Sequence, residues 1–397
     1  MAGPLSGFRI LDLSAVISGP FGTMILADQG ADVIKVEPVN GDFTRAAGNQ
    51  MNGMSASFLN NNRNKRSIAV DLKAPGGVDL VKRLAKDCDV FVQNFRPGVM
   101  ERLGLGEDDI RAVCPDIIYV SLSGFGEKGP FAGKPVYDPI IQALSGLASV
   151  QGGSDQERPR LLRTILPDKL TAITASQAIT AALLARTRTG QGQHVRLSML
   201  DAVVAFLWSS DMGGQTYVGH DVSQQRAASF IDLIYETRDG FMSVAVMTNP
   251  QWKALAEATG HPEWIDDPRF ATTALRDLNI NERLALIQSV LLDRTTDEWM
   301  AVLEPAGVPC APVLHRKDMI HHPQVLASGI VTENHHPVAG PLRQARNAAR
   351  FSETVPEHRH GAPLLGEHTD EILREAGLSD AEIADLRQQG AVSGPAD

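Results

Sequence analysis

Short runs rich in β-branched residues alternate with helical stretches through the first third of the chain, and this alternation constrains the fold most strongly. The runs are "RILDLS", "DVIKVEP", "RSIAVDL", "DVFVQNF" and "DIIYVSLSG", and helical stretches such as "GPFGTMILADQG" and "GVDLVKRLAKDC" separate several of them. Successive strands that are joined through helices pair in parallel, because each connection has to cross back over the sheet. The sequence therefore predicts an α/β protein with a parallel, Rossmann-like sheet that is covered by helices.

The later part of the chain has a different pattern. "IYETRDGFMSVAVM" is typical of a β-hairpin that turns at Asp239 and Gly240, and helical segments follow it as far as "HHPQVLASG". Since single cores stop growing at roughly 250–300 residues, a chain of 397 residues has room for a second core. We therefore expect a smaller α/β domain after the parallel sheet, and we expect the final "AVSGPAD" to fray.

Charge and cysteine content exclude several classes of partner. The net charge of −10 argues against nucleic acid. Three cysteines (Cys88, Cys114 and Cys310) are too few for a disulfide framework in a chain of this length. The N-terminus lacks the pattern of a signal peptide, and no apolar run reaches the roughly 18 residues of a spanning helix. These features predict a cytoplasmic protein with no membrane partner.

Two common ligand sites are disfavoured. The turn after the first strand, "SAVISGPFGT", has only Gly19 and Gly22, and it lacks the three-glycine spacing of a dinucleotide site, although Glu37 ends the second strand. A nicotinamide-dependent dehydrogenase is therefore not expected. Five histidines lie near one another in sequence but show no metal-ligand spacing, so no metal is predicted: His315, His321, His322, His335 and His336.

A basic run, "NRNKRS", precedes the third strand and contains Arg63, Lys65 and Arg66. Such a run is commonly a solvated face. Guanidinium groups also bind phosphates in a bidentate manner, so a phosphate site is the alternative. The sequence leaves both interpretations open.

A second candidate ligand site follows the fourth strand, in "NFRPGVMERLGLG". Asn94, Phe95, Arg96 and Arg102 surround a Pro-Gly turn at the carboxyl end of this strand. Ligands of open α/β sheets bind at that edge, and an aromatic ring beside arginines suits an adenine ring and phosphates. Phe95 could equally belong to the core.

Asp168 is the most unusual carboxylate in the chain. It stands near the start of "TILPDKLTAITASQAITAALLARTRTGQG", a run that is otherwise mostly apolar or small. A helix that is apolar all round is normally buried, and a buried carboxylate is costly. Asp168 could cap the helix N-terminus, with Thr171 three residues on, or it could be presented to a ligand.

The whole chain resembles the family III CoA-transferases, the group of formyl-CoA transferase and carnitine-CoA transferase. The matching segments include "GFRILDLSAVISGPFGTMILADQGADVIKVEP", "VFVQNFRPGVMERLGL", "SLSGFGEKGPF", "VYDPIIQALSGL" and "RTRTGQGQHVRLSMLDAV". The resemblance implies that Asp168 is a nucleophile that carries CoA as an aspartyl thioester. Ala172 stands where glycine is common in this family, and no glycine-rich lid is visible in residues 230–260.

The resemblance also implies a set of binding residues. Ile17 occupies a position where a glutamine gates the intermediate in some members. A second carboxylate on the acceptor acid needs a cation, for which Arg45 and Arg163 are candidates. The implied CoA contacts are Val16, Lys73, Asn94, Phe95, Arg96, Arg102, Tyr137 and Met199.

The domain arrangement follows from the same resemblance. The implied protein is an interlocked homodimer, in which residues 1–204 and 326–397 form the large domain, 205–229 form a linker and 230–325 form the small domain. The implied substrates are an acyl-CoA, with succinyl-CoA as the expected donor, and a small carboxylic or dicarboxylic acid. No permanently bound cofactor is expected.

Two alternatives share this resemblance. An α-methylacyl-CoA racemase needs a base, but Tyr137 occupies the position of its histidine, and tyrosine, whose pKa is about 10, is a poor base at neutral pH. A CoA-binding protein without activity is the second alternative. The presence of Asp168 favours a CoA-transferase over both.

Overall fold

The computed structural model describes residues 3–153, 157–219 and 232–394. The chain divides into two compact units. The larger comprises Met1–Gln151, Arg160–Gly213 and Gly329–Asp397, and the smaller comprises Gly152–Pro159 and Gly214–Ser328. The domain boundaries expected from the sequence stay a prediction, and residues 220–229 of the expected linker lie outside the described residues.

The strands in the described ranges are β1 (Arg9–Asp12), β2 (Asp32–Glu37), β3 (Gln50–Met51), β4 (Met54–Ser55), β5 (Lys65–Val70), β6 (Val90–Gln93), β7 (Ile118–Ser123), β8 (His194–Ser198), β9 (Ile234–Glu236), β10 (Phe241–Val244), β11 (Cys310–Pro312), β12 (Val331–His336), β13 (Gly340–Ala345) and β14 (Val392–Ser393).

The α-helices in the same ranges are α1 (Ser18–Asp28), α2 (Ala56–Asn62), α3 (Gly77–Ala85), α4 (Val99–Arg102), α5 (Glu107–Val113), α6 (Asp138–Leu144), α7 (Leu147–Gly152), α8 (Leu166–Thr189), α9 (Met199–Trp208), α10 (Gly213–Thr216), α11 (Asn249–Thr259), α12 (Thr273–Leu278), α13 (Ile280–Leu291), α14 (Thr296–Leu303), α15 (Arg316–Met319), α16 (Pro323–Ser328), α17 (Thr369–Glu375) and α18 (Asp380–Gln388). Short 3₁₀ turns cover Phe43–Ala46 and Pro262–Trp264. None of the helices described is long and apolar enough to cross a membrane.

A seven-stranded sheet in the order β14-β5-β2-β1-β6-β7-β8 forms the centre of the larger unit. All neighbours pair in parallel except β14 with β5. Adjacent residues of a strand enter cores on opposite faces, as Ile10 and Leu11 do in β1. This burial on both faces explains the continuous apolar runs in the sequence, and it confirms the predicted α/β class with a mostly parallel sheet.

The C-terminal segment differs from its expectation. Val392 and Ser393 pair with Val70 and Ala69 as an antiparallel edge strand, and Ala391 is fully buried. The expected fraying of "AVSGPAD" is therefore wrong for residues 391–393, because the unpaired edge of β5 offers these residues a hydrogen-bonding partner.

The basic run before β5 is neither a solvated face nor an open phosphate site. Lys65 is fully buried and Arg63 nearly so, while Arg66 is half-buried. Each cation meets a carboxylate of the larger unit: Arg63 with Asp28 at 2.6 Å, Lys65 with Asp12 at 3.0 Å and Arg66 with Asp32 at 2.7 Å. Buried charges need such partners, so the run is part of the internal structure.

Helix α8 is buried on one side only in the single chain. Its small residues Ala172 and Ala175 face the interior, whereas Ile173 and Leu184 are exposed. The expectation of burial on every side is therefore wrong for one chain by itself. Helix α8 ends as predicted at Gly190, whose φ of 70° is the left-handed value that favours glycine at a helix end.

Helices α1 and α8 approach each other closely at Gly22. A Cβ atom at this position would lie 2.9 Å from the carbonyl oxygen of Ala172, closer than normal contact permits. We expect Gly22→Ala to lower the free energy of unfolding by about 1–3 kcal/mol, because the two helices must move apart. The measurement is thermal unfolding followed by circular dichroism. Gly213→Ala, where a Cβ atom would meet open space, is the control and should leave the melting temperature unchanged.

The smaller unit contains the three-stranded antiparallel sheet β11-β10-β9. The predicted hairpin is confirmed, since β9 and β10 pair, but its turn lies one residue earlier than expected. The Thr237 amide bonds to the Gly240 carbonyl at 2.9 Å, so the two turn residues are Arg238 and Asp239 and not Asp239 and Gly240. Helices α11, α13 and α14 contribute Trp252, Leu284 and Trp299 to the core of this unit.

Candidate active site

Asp168 is the third residue of α8, after Leu166 and Pro167. The residue at the N-cap is Ile165, and its side chain accepts no hydrogen bond. Asp168 therefore does not cap its own helix, which corrects one of the two interpretations left open by the sequence. The half-buried carboxylate lies in the first turn, where the helix dipole favours negative charge.

Asp138, the first residue of α6, supplies the capping contact instead. One of its carboxylate oxygens accepts a hydrogen bond from the Asp168 amide at 3.2 Å, and the other accepts one from Gln142 Nε2 at 2.6 Å. The Gln142 Oε1 atom in turn accepts a bond from the Leu162 amide at 2.9 Å. The start of α8 and the segment before it are thus held by α6.

Sequence reasoning selected Tyr137 and missed its neighbour Asp138. The available signal was a carboxylate before a proline in "VYDP", which is typical of the first turn of a helix. That signal did not reveal which N-terminus the carboxylate would serve, because Asp138 and Asp168 are 30 residues apart.

The pKa of Asp168 is raised to about 6, chiefly by burial and in smaller part by the negative charge of Asp138. A hydrogen bond from the Ser18 hydroxyl, at the start of α1, acts in the opposite sense and lowers it. Asp168 is therefore mostly ionised at neutral pH, but it is more basic than an ordinary aspartate. A carboxylate of this kind is suited to nucleophilic attack.

We expect Asp138→Asn to lower the pKa of Asp168, because the change removes a neighbouring negative charge and keeps a side-chain oxygen that can accept the amide bond. The rate of a reaction that needs ionised Asp168 falls as the pH drops below about 6 in the wild type. In the variant this acid limb should move to lower pH. A pH–rate profile measures the shift; an unmoved acid limb would contradict the assignment of Asp138.

The loop of residues 14–17 precedes α1 and leads to Ser18, the first residue of that helix. Val16 in this loop has a φ of 70°, a left-handed conformation that is strained for a β-branched residue. The Asn94 side chain holds the loop through bonds to both the amide and the carbonyl of Ala15, at 2.9 and 2.8 Å, and Asp42 accepts the Val16 amide at 3.2 Å. Strain maintained in this way is common at functional sites.

A buried network of charged residues contacts this loop at Ser14. Asp12 accepts bonds from Thr23 at 2.6 Å and Lys65 at 3.0 Å, and also from Ser14. Lys35 bonds to the Ser14 carbonyl at 3.0 Å. Burial lowers the pKa of Lys65 to about 8, although the charge of Asp12 opposes that shift.

Two adjoining hollows open at the carboxyl ends of β6 and β7. Their volumes are about 220 Å³ and 620 Å³, and both are lined by Phe95, Arg96, Pro97 and Ser123. Tyr137 and Lys134 line the smaller hollow. Tyr137, which lines the smaller hollow, directly precedes Asp138 in sequence. Lys134 is a cation that sequence reasoning missed.

The predicted binding residues fall into several positions. Asn94, Phe95, Arg96 and Tyr137 line the smaller hollow. Val16 and Ile17 lie in the loop before α1, and Met199 is buried at the start of α9. The exposed side chains of Lys73, Arg102 and Arg163 line neither hollow.

Arg45 is engaged elsewhere. Its guanidinium makes two hydrogen bonds of 2.7 Å to Glu37 and stacks over the ring of Phe58 at 3.7 Å. Arg45 is therefore committed to the internal network, and we do not retain it as a carboxylate-binding candidate. The same hydrogen bonds account for the acidic residue at Glu37. Its place at the end of β2 is where dinucleotide-binding proteins have a carboxylate that binds the ribose.

The chain matches the sequence model of CoA-transferase family III over residues 5–369. It is 38% identical over 380 residues to succinyl-CoA:glutarate CoA-transferase of Mus musculus, covering 94% of this chain and 86% of the relative. It is 34% identical over 423 residues to formyl-CoA:oxalate CoA-transferase of Bradyrhizobium diazoefficiens, covering 100% and 99%. A solved structure of a CAIB/BAIF family protein from Brucella suis has a TM-score of 0.82 at 31% identity, covering 95% and 100%.

The chain therefore belongs to CoA-transferase family III, and it is an enzyme that transfers CoA between carboxylic acids. The expected family is thereby confirmed.

Proposed function

We propose that this enzyme transfers CoA from an acyl-CoA to a small dicarboxylic acid, with Asp168 as the covalent carrier. The observation that carries the proposal is the half-buried Asp168 carboxylate, whose pKa is raised to about 6 and whose amide is held by Asp138. A carboxylate needs no separate base to attack a thioester when it is ionised.

In the first half of the reaction, an Asp168 oxygen attacks the thioester carbonyl of the donor. The carbon–sulfur bond breaks, CoA leaves as the thiolate, and a mixed anhydride remains. The thiolate then attacks the aspartyl carbonyl, which gives an aspartyl-CoA thioester and the free donor carboxylate. Exclusion of water would protect both intermediates.

In the second half, the acceptor carboxylate attacks the aspartyl thioester and expels the thiolate, which forms a second anhydride. Attack of the thiolate on the acceptor carbonyl releases the new acyl-CoA and regenerates the Asp168 carboxylate. No proton is gained or lost over the cycle. The first turn of α1, to which Ser18 belongs, has amides without intrahelical partners that would stabilise the oxyanions.

We place CoA along the two hollows, with its thioester end toward Tyr137. Arg96 and Lys134 provide positive charge for the phosphates, and Phe95 provides a ring for stacking against the adenine. In this position the two cations of the smaller hollow, Arg96 and Lys134, lie with Tyr137, the residue before Asp138 in sequence. Val16 and Met199 stay proposed contacts near the reacting end, and Lys73 and Arg102 stay proposed outer contacts.

The names of the relatives support a dicarboxylate acceptor. Glutarate is named for one of them and oxalate for another. Arg163, five residues before Asp168 in sequence, is exposed and has no ion pair among the described residues. We propose that its guanidinium receives the second carboxylate of the acceptor.

We expect Arg163→Ala to raise KM for a dicarboxylate acceptor by about tenfold or more, the value of one lost charge-assisted hydrogen bond, and to leave KM for a monocarboxylate unchanged. Initial rates with glutarate and with butyrate measure this difference. Arg188→Ala, at the opposite end of α8, is the control. An equal effect on both acceptors would contradict the role of Arg163.

We further propose that the enzyme is a homodimer. Helices α6, α8 and α9 of the larger unit expose apolar residues that would be covered in such an assembly: Ile140, Leu144, Ile173, Leu184, Phe206 and Trp208. Monomeric proteins rarely expose many such residues together. Sedimentation equilibrium of the purified chain measures its mass in solution, and a monomer would contradict this part of the proposal.

The decisive experiment for the covalent carrier is intact-protein mass spectrometry after incubation with succinyl-CoA. We expect an adduct of the mass of CoA on the wild type and none on Asp168→Ala. If deuterium from the solvent entered the α-carbon of a 2-methylacyl-CoA and no adduct formed, the protein would be a racemase instead.

A further inference from the structure

A continuous chain of side-chain hydrogen bonds crosses β6, β7 and β8 beneath the larger hollow. Gln93 Nε2 lies 2.9 Å from Ser121 Oγ, which lies 2.8 Å from His194 Nε2, and His194 Nδ1 lies 2.6 Å from Glu107. All four residues line the hollow of about 620 Å³. None of them takes part in the transfer reaction proposed above.

This chain of hydrogen bonds is held in place at both of its ends. Gln93 Oε1 accepts the amide of Phe95 at 2.8 Å, so the chain starts at the loop that both hollows share. Glu107 is the first residue of α5, and it also pairs with Arg196 at 3.1 Å. Arg196 bonds further to Glu127 at 3.0 Å, in the loop after β7. Three separate walls of the hollows are thereby connected.

Serine, histidine and a carboxylate in this order also occur in hydrolytic triads, but Ser121 is not placed as a nucleophile. It lies within β7, between Gln93 of β6 and Arg196 of β8, so its backbone amide belongs to the ladder of a central strand. A hydrolytic serine needs amides directed at the oxyanion. The arrangement is therefore better explained as structural support for the loop.

The direction of every donor in the chain follows from the carboxylate. Glu107 accepts from His194 Nδ1, so Nε2 is left as an acceptor for the Ser121 hydroxyl. Ser121 Oγ then accepts from the amide nitrogen of Gln93, which turns the Gln93 oxygen toward the Phe95 amide. Without the serine hydroxyl, the Gln93 amide would lose the contact that fixes its orientation.

We propose that Gln93, Ser121, His194 and Glu107 are positioning residues that hold the Phe95–Arg96 loop in the conformation that binds CoA. The proposal rests on the placement of CoA in the two hollows. These residues act on the affinity for acyl-CoA and not on the reacting carboxylate, because they line the larger hollow and hold the Phe95 amide, and no hydrogen bond among the described residues joins them to Asp168. Loss of these hydrogen bonds therefore weakens the binding of acyl-CoA and leaves the chemical step intact.

The test is Ser121→Ala, with Ser121→Thr as the conservative variant that keeps the hydroxyl. We expect the alanine variant to raise KM for succinyl-CoA and Kd for CoA by about three- to tenfold, the effect of about one hydrogen bond, with kcat within about twofold of wild type. The threonine variant should restore both constants. Ser289→Ala is the control, because among the described residues this hydroxyl bonds to the Leu286 carbonyl within α13 and to no other group.

Glu107→Gln provides a second variant at a half-buried position, in case the alanine variant folds poorly. It should raise Kd for CoA in the same direction. Unchanged Kd in both variants would overturn the inference, and so would a loss of kcat without a change in Kd. Failure of the proposed function would instead show in the wild type, as the absence of a CoA adduct on Asp168.

Discussion

Replacing Asp168 by asparagine is expected to lower kcat by roughly 10⁴-fold or more, the scale of loss seen when a covalent nucleophile is removed. The asparagine side chain is nearly isosteric with the aspartate side chain, so the first turn of α8 is preserved. The hydrogen bond from the backbone amide of residue 168 to Asp138 is preserved as well. What the variant loses is the oxygen nucleophile that forms the anhydride and the thioester. The measurement is the initial rate of CoA transfer from succinyl-CoA to glutarate, followed by liquid chromatography.

The same variant should be more stable than the wild type at pH 7. Because the folded-state pKa of Asp168 is raised to about 6, above the ordinary value of 3.8, protonation stabilises the fold and this contribution is lost as the pH rises through 6. Asparagine has no charge to lose. Thermal unfolding at pH 5 and pH 7 should therefore show a smaller decrease in melting temperature for Asp168→Asn than for the wild type.

These two measurements separate catalysis from folding. A variant that lost both activity and stability would have lost the fold, which would say nothing in favour of a nucleophile. Retention of more than about a hundredth of the wild-type rate would contradict the covalent mechanism, since an enzyme without its covalent nucleophile keeps only the residual catalysis of the oxyanion contacts and of substrate binding.

Replacing Lys65 by methionine is expected to cost about 3–5 kcal/mol of the free energy of unfolding, because it leaves the fully buried Asp12 without its nearest cation. Lys65 also donates hydrogen bonds to the Pro20 carbonyl at 2.8 Å and to Asn62 at 2.9 Å. These acceptors would lose their donor as well. Urea unfolding followed by circular dichroism measures the loss.

Lys86→Met is the matched control, since Lys86 is exposed at the end of α3. Adding Asp12→Asn to Lys65→Met should recover part of the stability, because a neutral amide needs no counterion. A loss below about 1 kcal/mol for Lys65→Met would show that water or Lys35 compensates Asp12, and the network would then not be a main support of the loop before α1.

The class of fold could be predicted from the sequence because its cause is local. The apolar runs of β1, β2, β5, β6 and β7 are short and continuous, and this pattern is typical of strands buried on both faces. The hairpin of β9 and β10 could be predicted for the same reason, although its two-residue turn lies at Arg238 and Asp239, one residue before the predicted position. The end of α8 at Gly190 was equally visible.

Asp168 was noticeable in the sequence because a carboxylate contrasts with the apolar residues around it. Its proposed role as a nucleophile came from the resemblance to a family, since spacing alone allowed a helix cap as well. The structure excludes the interpretation as a helix cap, because Ile165 occupies the N-cap position and Asp138 accepts the hydrogen bond from the Asp168 amide.

Contacts between distant parts of the chain were decided only by the tertiary structure. The basic run around Lys65 resembles a surface patch in sequence, and only the folded chain brings Asp12, 53 residues away, to its ammonium group. Arg45 is a candidate for substrate binding in the sequence, but in the folded chain its guanidinium is hydrogen-bonded to Glu37. In each case the sequence shows the charged residue, but which residue forms the ion pair with it depends on the order of the strands in the sheet.

The sequence by itself thus determined the local elements, the α/β class and the unusual carboxylate, since hydrophobic periodicity and turn chemistry act over a few residues. The tertiary structure decided which carboxylates are paired, how basic Asp168 is, and which side chains line the hollows. Burial and electrostatic contact depend on distances in space, and a sequence does not contain those distances.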